Sequence, residues 1–266
     1  MSKNKSETAP EEVREGGFWE TFKTISVAIL IALVIRTFAY EPFNIPSGSM
    51  KSTLLIGDYL FVSKSAYGYS RYSFDLFGWD IVPPSLGDEG NRMMFSEPKR
   101  GDVAVFKLPS DNKTDYIKRI VGLPGDRIQV TDGVLIINGV ALKRERVGDF
   151  IETNAYGRSR RIVRYIETMP NGRRYETLDI DFHGANDNTE VFVVPEGHYF
   201  AMGDNRDNSL DSRVSADRGG VGFIPAENLI GRADIIFFST DGSAQIWEFW
   251  RWPVATRFSR IFNFIE

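Results

Sequence analysis

Between Phe18 and Tyr40 the chain holds a stretch that can fold in few ways. Ile25 to Ile35 is apolar but for Ser26, and extending the segment to Phe18 and Tyr40 reaches the roughly 20 residues that a bilayer crossing requires. Glu20, Lys23 and Arg36 fall near the ends, where long side chains reach the interface. Phe18, Trp19, Phe22, Phe38, Tyr40 and Phe43 fall where two interfacial aromatic belts would lie. One transmembrane helix over 18–40 is the expectation. A cleavable signal peptide is the competing reading, but Thr37-Phe38-Ala39-Tyr40-Glu41-Pro42 offers no small-residue cleavage site, so the helix is expected to stay as an anchor. Lys3, Lys5, Arg14 and Lys23 precede the apolar core, and after Arg36 the next basic residue is Lys51. That asymmetry puts the N-terminus in the cytoplasm and everything from about residue 41 on the far side. Residues 1–17, polar and without apolar period, read as a disordered cytoplasmic tail.

Composition excludes several chemistries. The chain has 266 residues and a net charge of −4, which argues against nucleic acid as a partner. It has no cysteine, so thiol catalysis, disulfides and thiolate metal sites are out. Its two histidines, His183 and His198, belong to no ligand cluster; no metal and no cofactor are expected.

Pro42 and Pro46 end the helix and favour extended backbone before them. Residues 65–98 read as a loop rich in aromatics and glycine. From Arg100 the pattern is β: strands at 101–106 and 116–121, then IQVTDGVLIING, which alternates around an Asp132-Gly133 turn and closes on Asn138-Gly139. The expected fold class is mainly β, a membrane-anchored catalytic sheet domain (41–140 and 191–240). Into it is inserted a small β-hairpin domain (141–190), whose charged strands 161–166 and 174–178 flank Asn171-Gly172. Val191–Val194, His198–Met202 and Ile235–Phe238 return to the main sheet. The stretch 241–266, with Trp247, Trp250, Trp252, Phe258, Phe262 and Phe264 among arginines, reads as an interfacial amphipathic tail.

Three segments combine to suggest chemistry: Ile45-Pro46-Ser47-Gly48-Ser49-Met50, Tyr116–Asp126, and Gly203-Asp204-Asn205-Arg206-Asp207-Asn208-Ser209-Leu210-Asp211-Ser212-Arg213. Alone, each has a plain reading: a turn, a solvated strand end, and a polar loop. The third run lacks the sixth-position Gly and twelfth-position Glu of a calcium loop, carrying Ser209 and Ser215 there. A serine protease needs a base near its hydroxyl, and a lysine serves only when neutral. From a reference pKa of about 10.4, neutrality at pH 7 costs about 4.6 kcal/mol, which burial can supply. Met50, Tyr116, Ile117 and Ile120 offer apolar neighbours to Lys118, and strand alternation turns Arg119 away from it.

In this order the three segments resemble the bacterial type I signal peptidases, membrane-anchored Ser/Lys proteases that remove signal peptides from exported preproteins. Gly222-Phe223-Ile224-Pro225 extends the likeness. The resemblance implies Ser49 as nucleophile, Lys118 as general base, Ser47 with the Ser49 amide as oxyanion hole, and Ser209 orienting the lysine. It implies Arg119, Asp204, Asp211 and Arg213 as structural ion pairs, and Ile45 and Ile117 as walls of shallow pockets for small residues at −3 and −1. Preproteins, the lipid bilayer and the export channel are the partners it names, and the inner membrane, with the catalytic domain facing outward, the location. This chain departs from the family where Met50 is followed by Lys51-Ser52-Thr53-Leu54, without the usual Pro at Ser52, and where one span precedes the domain although the family often has two. The alternatives are a membrane-tethered β domain that binds without catalysis, and an enzyme using His198 as base.

Overall fold

The computed structural model describes residues 17–76, 79–80, 92–153, 157–245 and 247–265. The expected tail therefore lies outside the described residues except for Gly17, as does much of the loop between 77 and 91. Helix α1 (Gly17–Phe38) has no buried residue and, at 1.5 Å per residue, is about 33 Å long. It ends two residues before the expected Tyr40, because Glu41 precedes Pro42 and is pushed into extended backbone. Strand β1 (Tyr40–Asn44) starts there.

The junction is held on both sides. Lys64, buried, pairs with Glu41 at 2.9 Å and donates to Ser73 O at 2.6 Å. Tyr69 donates its hydroxyl to Phe38 O, and the rings of Tyr69 and Phe74 both pack on Phe38.

The strands follow as β2 (Asp58–Ser63), β3 (Asp75–Leu76), β4 (Trp79–Asp80), β5 (Val103–Lys107), β6 (Asp115–Gly122), β7 (Arg127–Thr131), β8 (Val134–Ile137) and β9 (Val140–Ala141). After them come β10 (Lys143–Thr153), β11 (Ser159–Thr168), β12 (Arg174–Asp179), β13 (Phe192–Val193), β14 (His198–Met202), β15 (Ile224–Pro225) and β16 (Leu229–Ser239). The main sheet has the order β1-β2-β16-β5-β6-β14-β15. A four-stranded sheet runs β13-β7-β8-β9, and a three-stranded one β10-β11-β12. Strands 127–141 and 192–193 thus form a sheet of their own, with Phe192 opposite Ile128, where the sequence reading had returned Val191–Val194 to the main sheet. Its turns carry positive φ at Asp132 (48°), Gly133 (73°), Asn138 (53°) and Gly139 (81°), the geometry that Asp-Gly and Asn-Gly pairs favour.

Apolar cores fix these sheets. Ile45, Met50, Leu54, Leu60, Val62, Val103, Val105 and Ile236 pack the segment after β1 onto β2, β5 and β16. Val121, Ile128, Leu135, Phe200 and Met202 join the second sheet to β6 and β14. The tail returns along β16: Phe262 N donates to Ile236 O, and Ile236 N donates to Asn263 O. Arg260 reaches across to Asp58, while Trp247, Trp250, Phe258, Phe262 and Phe264 stay exposed.

Asp58 is wholly buried and accepts from Arg260, Ser239 Oγ (2.7 Å) and Leu55 N (2.7 Å). Asp58→Ala leaves those donors without their acceptor and should cost about 3 kcal/mol, read as a lowered melting temperature in detergent micelles. A melting temperature equal to the parent's would show that the tail is not held through this carboxylate.

Candidate active site

The three segments singled out in the sequence meet at one cleft of about 650 Å³, lined among others by Phe43, Ile45, Ser47, Ser49, Ile117, Lys118, Asn208 and Ser209. Ser49 follows β1 in a turn in which Thr53 N and Leu54 N bond back to Met50 O. Met50, fully buried in the core below, pins that turn from beneath. Lys118 sits in mid-β6, opposite Ala104 of β5, and its Nζ lies 2.8 Å from Ser49 Oγ and 2.9 Å from Ile117 O. Lys118 is 3% exposed and Ser49 8%. Burial lowers the lysine's pKa to about 8, against the opposing pull of Asp211 and Asp204.

Arg119, one residue on, projects to the other side of the strand. It binds Asp204 through Nε (2.9 Å) and Nη2 (2.8 Å), a bidentate pair with both side chains buried, and its Nη1 donates to Gly101 O. Thr53 Oγ1 joins that pair, bonding Asp204 Oδ2 at 2.5 Å. Asp211 and Arg213 form a second buried bidentate pair, and Asp211 also accepts from Gly203 N. These four charged residues frame the loop that carries Ser209.

Ser47, exposed at the cleft, has its Oγ 3.5 Å from Ser49 Oγ. Ser209 Oγ is buried against Gly203 and makes no hydrogen bond to Lys118. Ile45 is buried and Ile117 half-buried on the same wall. His198 stands apart: its Nδ1 is 2.9 Å from Glu196 O, and it does not line the cleft.

Several residues of the site carried no assignment from sequence. Asn205 fastens the serine loop from below, its backbone N–H donating to Ser49 O at 3.0 Å and its Nδ2 to Gly48 O at 2.9 Å. At Gly203 a Cβ would fall 2.3 Å from Ser209 Oγ and 2.6 Å from Ser49 O, so only glycine lets the two loops close. The neighbouring Arg206, buried, is gripped by Glu167 of β11, to which Tyr175 of β12 also donates. The Asp and Arg letters of the third segment hinted at ion pairs, but nothing local signalled a backbone contact such as Asn205 to Ser49 O.

Residues 18–238 match the family described as "Signal peptidase, peptidase S26". Signal peptidase I of Rickettsia conorii (strain ATCC VR-613 / Malish 7) is 43% identical over 243 residues, 89% of this chain and 82% of that protein. Signal peptidase I of Rickettsia typhi (strain ATCC VR-144 / Wilmington) is 45% identical over 227 residues, 83% of this chain and 80% of that protein. A solved signal peptidase I from Enterococcus faecalis V583 aligns with 52% of this chain and 97% of its own at 26% identity, with a TM-score of 0.29. A match spanning the helix, the cleft and β16 leaves one conclusion: this chain belongs to the signal peptidase family, peptidase S26, and is a serine endopeptidase of the bacterial type I kind.

Proposed function

We propose that the chain cleaves signal peptides from exported preproteins with Ser49 as nucleophile and Lys118 as general base. The observation that carries this is the 2.8 Å approach of Lys118 Nζ to Ser49 Oγ in a pocket that keeps both from water. At a pKa of about 8, roughly a tenth of the lysine is neutral at pH 7, enough to accept the serine proton as Oγ attacks the scissile carbonyl. The resulting ammonium then protonates the leaving amine. Ser47 Oγ, beside Ser49, donates to the oxyanion together with the Ser49 amide. Ser209 packs against Gly203 and keeps the lysine's chamber dry, and Asn205 and Asp204 hold the loops around it.

On one side of Ser49 the cleft is walled by Phe43, Ile45, Val105 and Ile117. Those walls favour small apolar side chains at −3 and −1 of an extended substrate. α1 serves as the bilayer anchor, N-terminus in the cytoplasm and sheets on the outer face of the inner membrane. Exposed Tyr40, Tyr59, Phe262 and Phe264, near β1, β2 and β16, supply a second, interfacial contact with lipid. A non-catalytic scaffold would not need a lysine held dry against a serine, which disfavours that alternative.

Ser49→Ala and Lys118→Ala should each abolish cleavage of a preprotein in detergent micelles while leaving the far-ultraviolet spectrum unchanged, and normal processing by either variant would remove the assignment. The kcat/KM of the parent should rise with pH along a limb centred near 8, since only the free amine is competent. A limb near 6.5 would point to a histidine instead.

Stability supplies a separate check. The unfolded chain takes up a proton on Lys118 between pH 8 and 10.4 that the folded one does not. Folding therefore gains stability as pH rises across that window, and below it the full cost is present. Lys118→Met should raise stability at pH 7 by about 3 kcal/mol and much less at pH 10.5, followed by thermal unfolding. Gly203→Ala, which sets a methyl against Ser49 O, should lower kcat by about a hundred-fold in the preprotein assay.

A further inference from the structure

The two residues after Met50 leave the serine loop in an unusual way. Ser52 has φ +96°, a left-handed conformation that side chains rarely adopt and that a proline, locked near −65°, cannot enter. Its Oγ donates to Glu176 O of β12 at 2.9 Å. Lys51 folds back over Gly48: a Cβ there would meet Lys51 Cε at 3.0 Å. Beyond Gly48 the Lys51 ammonium pairs with Glu152, the last residue but one of β10, which Arg160 of β11 holds from its other oxygen at 2.6 Å. Consecutive residues of the loop are thus tied to two different strands of the three-stranded sheet. β12 also meets the loop 203–213, where Leu178 N donates to Asp204 O at 2.8 Å.

We propose that Lys51 and Ser52 are positioning residues, through which the three-stranded sheet β10–β12 holds the Ser49 loop in its reactive pose by the Lys51–Glu152 ion pair and the Ser52–Glu176 hydrogen bond. The inference rests on Ser49 being the nucleophile. Lys51 lies two residues from Ser49, and its stem covers Gly48, whose carbonyl Asn205 grips from the other direction. Release of the ammonium lets that stem lift and the loop turn. A displacement of about 1 Å at a reacting oxygen lowers rate far more than it lowers substrate affinity. The pair is about one-fifth exposed on each side, so salt weakens it.

The test is steady-state cleavage of a preprotein in detergent micelles by Lys51→Met, Glu152→Gln, their double variant, and the exchanged pair Lys51→Glu with Glu152→Lys. Each single variant should lose about ten-fold in kcat with KM unchanged, the double should lose no more than either single, and the exchanged pair should recover most of the rate. Ser52→Pro should lose clearly more than Ser52→Ala, because only the former forbids the positive φ. Parent-like kcat in both single variants, losses that multiply in the double, or losses that track a lowered melting temperature instead of kcat would overturn the proposal. Ser49→Ala assayed alongside separates the two readings: cleavage by that variant refutes the nucleophile assignment, whereas its inactivity beside fully active Lys51 and Glu152 variants refutes only the positioning role.

Discussion

The site depends on a buried ion pair that does not line the cleft. Arg119 and Asp204 satisfy each other in bidentate geometry with almost no water contact, and Thr53 and Gly101 O take up further bonding capacity. Breaking such a pair from one side strands a charge in the interior, so β6, the serine loop and the 203–213 loop must move together or not at all. Strand alternation does the rest. Because Arg119 occupies one face of β6, Lys118 is presented on the other, toward a pocket whose burial outweighs the attraction of Asp211 and Asp204. The protein thus keeps one cation fully charged beside another whose proton burial has made easier to lose, by satisfying the first with a carboxylate and giving the second, among the described residues, only Ser49 Oγ and Ile117 O as hydrogen-bond partners.

The three-stranded sheet between β9 and β13 belongs to this machinery. Glu167 holds Arg206, Leu178 holds Asp204, and the backbone amides of Ile180 and Asp181 hold Asp207. Each contact lands on the loop that faces Ser49. An insertion read as a small separate unit therefore braces the loop that lines the cleft at Asp207–Leu210 from behind, while lending the cleft itself only Asn186.

The parts of the molecule legible in the sequence were those whose physics is local. An apolar stretch before Pro42, Asp-Gly and Asn-Gly turns, and alternating apolar strands at 116–121 and 128–137 each carry their own signal. Ser49 and Lys118 were singled out through the family resemblance of the segments that carry them, and the fold brings them to 2.8 Å of each other. Strand β10 escaped because KRERVGDFIET is charged and irregular, broken by a register shift between Arg146 and Gly148; cross-strand partners such as Arg144 to Asp179 hold it. β13 was assigned to the wrong sheet, since a two-residue strand has no period to betray its neighbour. Asn205 and Gly203 went unassigned for the same kind of reason: their work is against backbone atoms some 155 residues earlier in the chain, Ser49 O among them. Ser52 stood out in the sequence only as a departure from the family's usual Pro, and it occupies a conformation that a proline cannot enter.

The junction between α1 and the sheets has a mechanical meaning in the proposed orientation. Glu41, Lys64, Tyr69 and Phe74 grip the last helical turn and the first extended residues, so the anchor meets the body as a strut and not as a tether. Ile45 follows Phe38 by seven residues, which at full extension span at most about 25 Å. In that proposed orientation the cleft would be held at a set height above the bilayer surface, and the molecule would work as a ruler: the bond presented to it would be the one that an apolar segment embedded alongside leaves at that level.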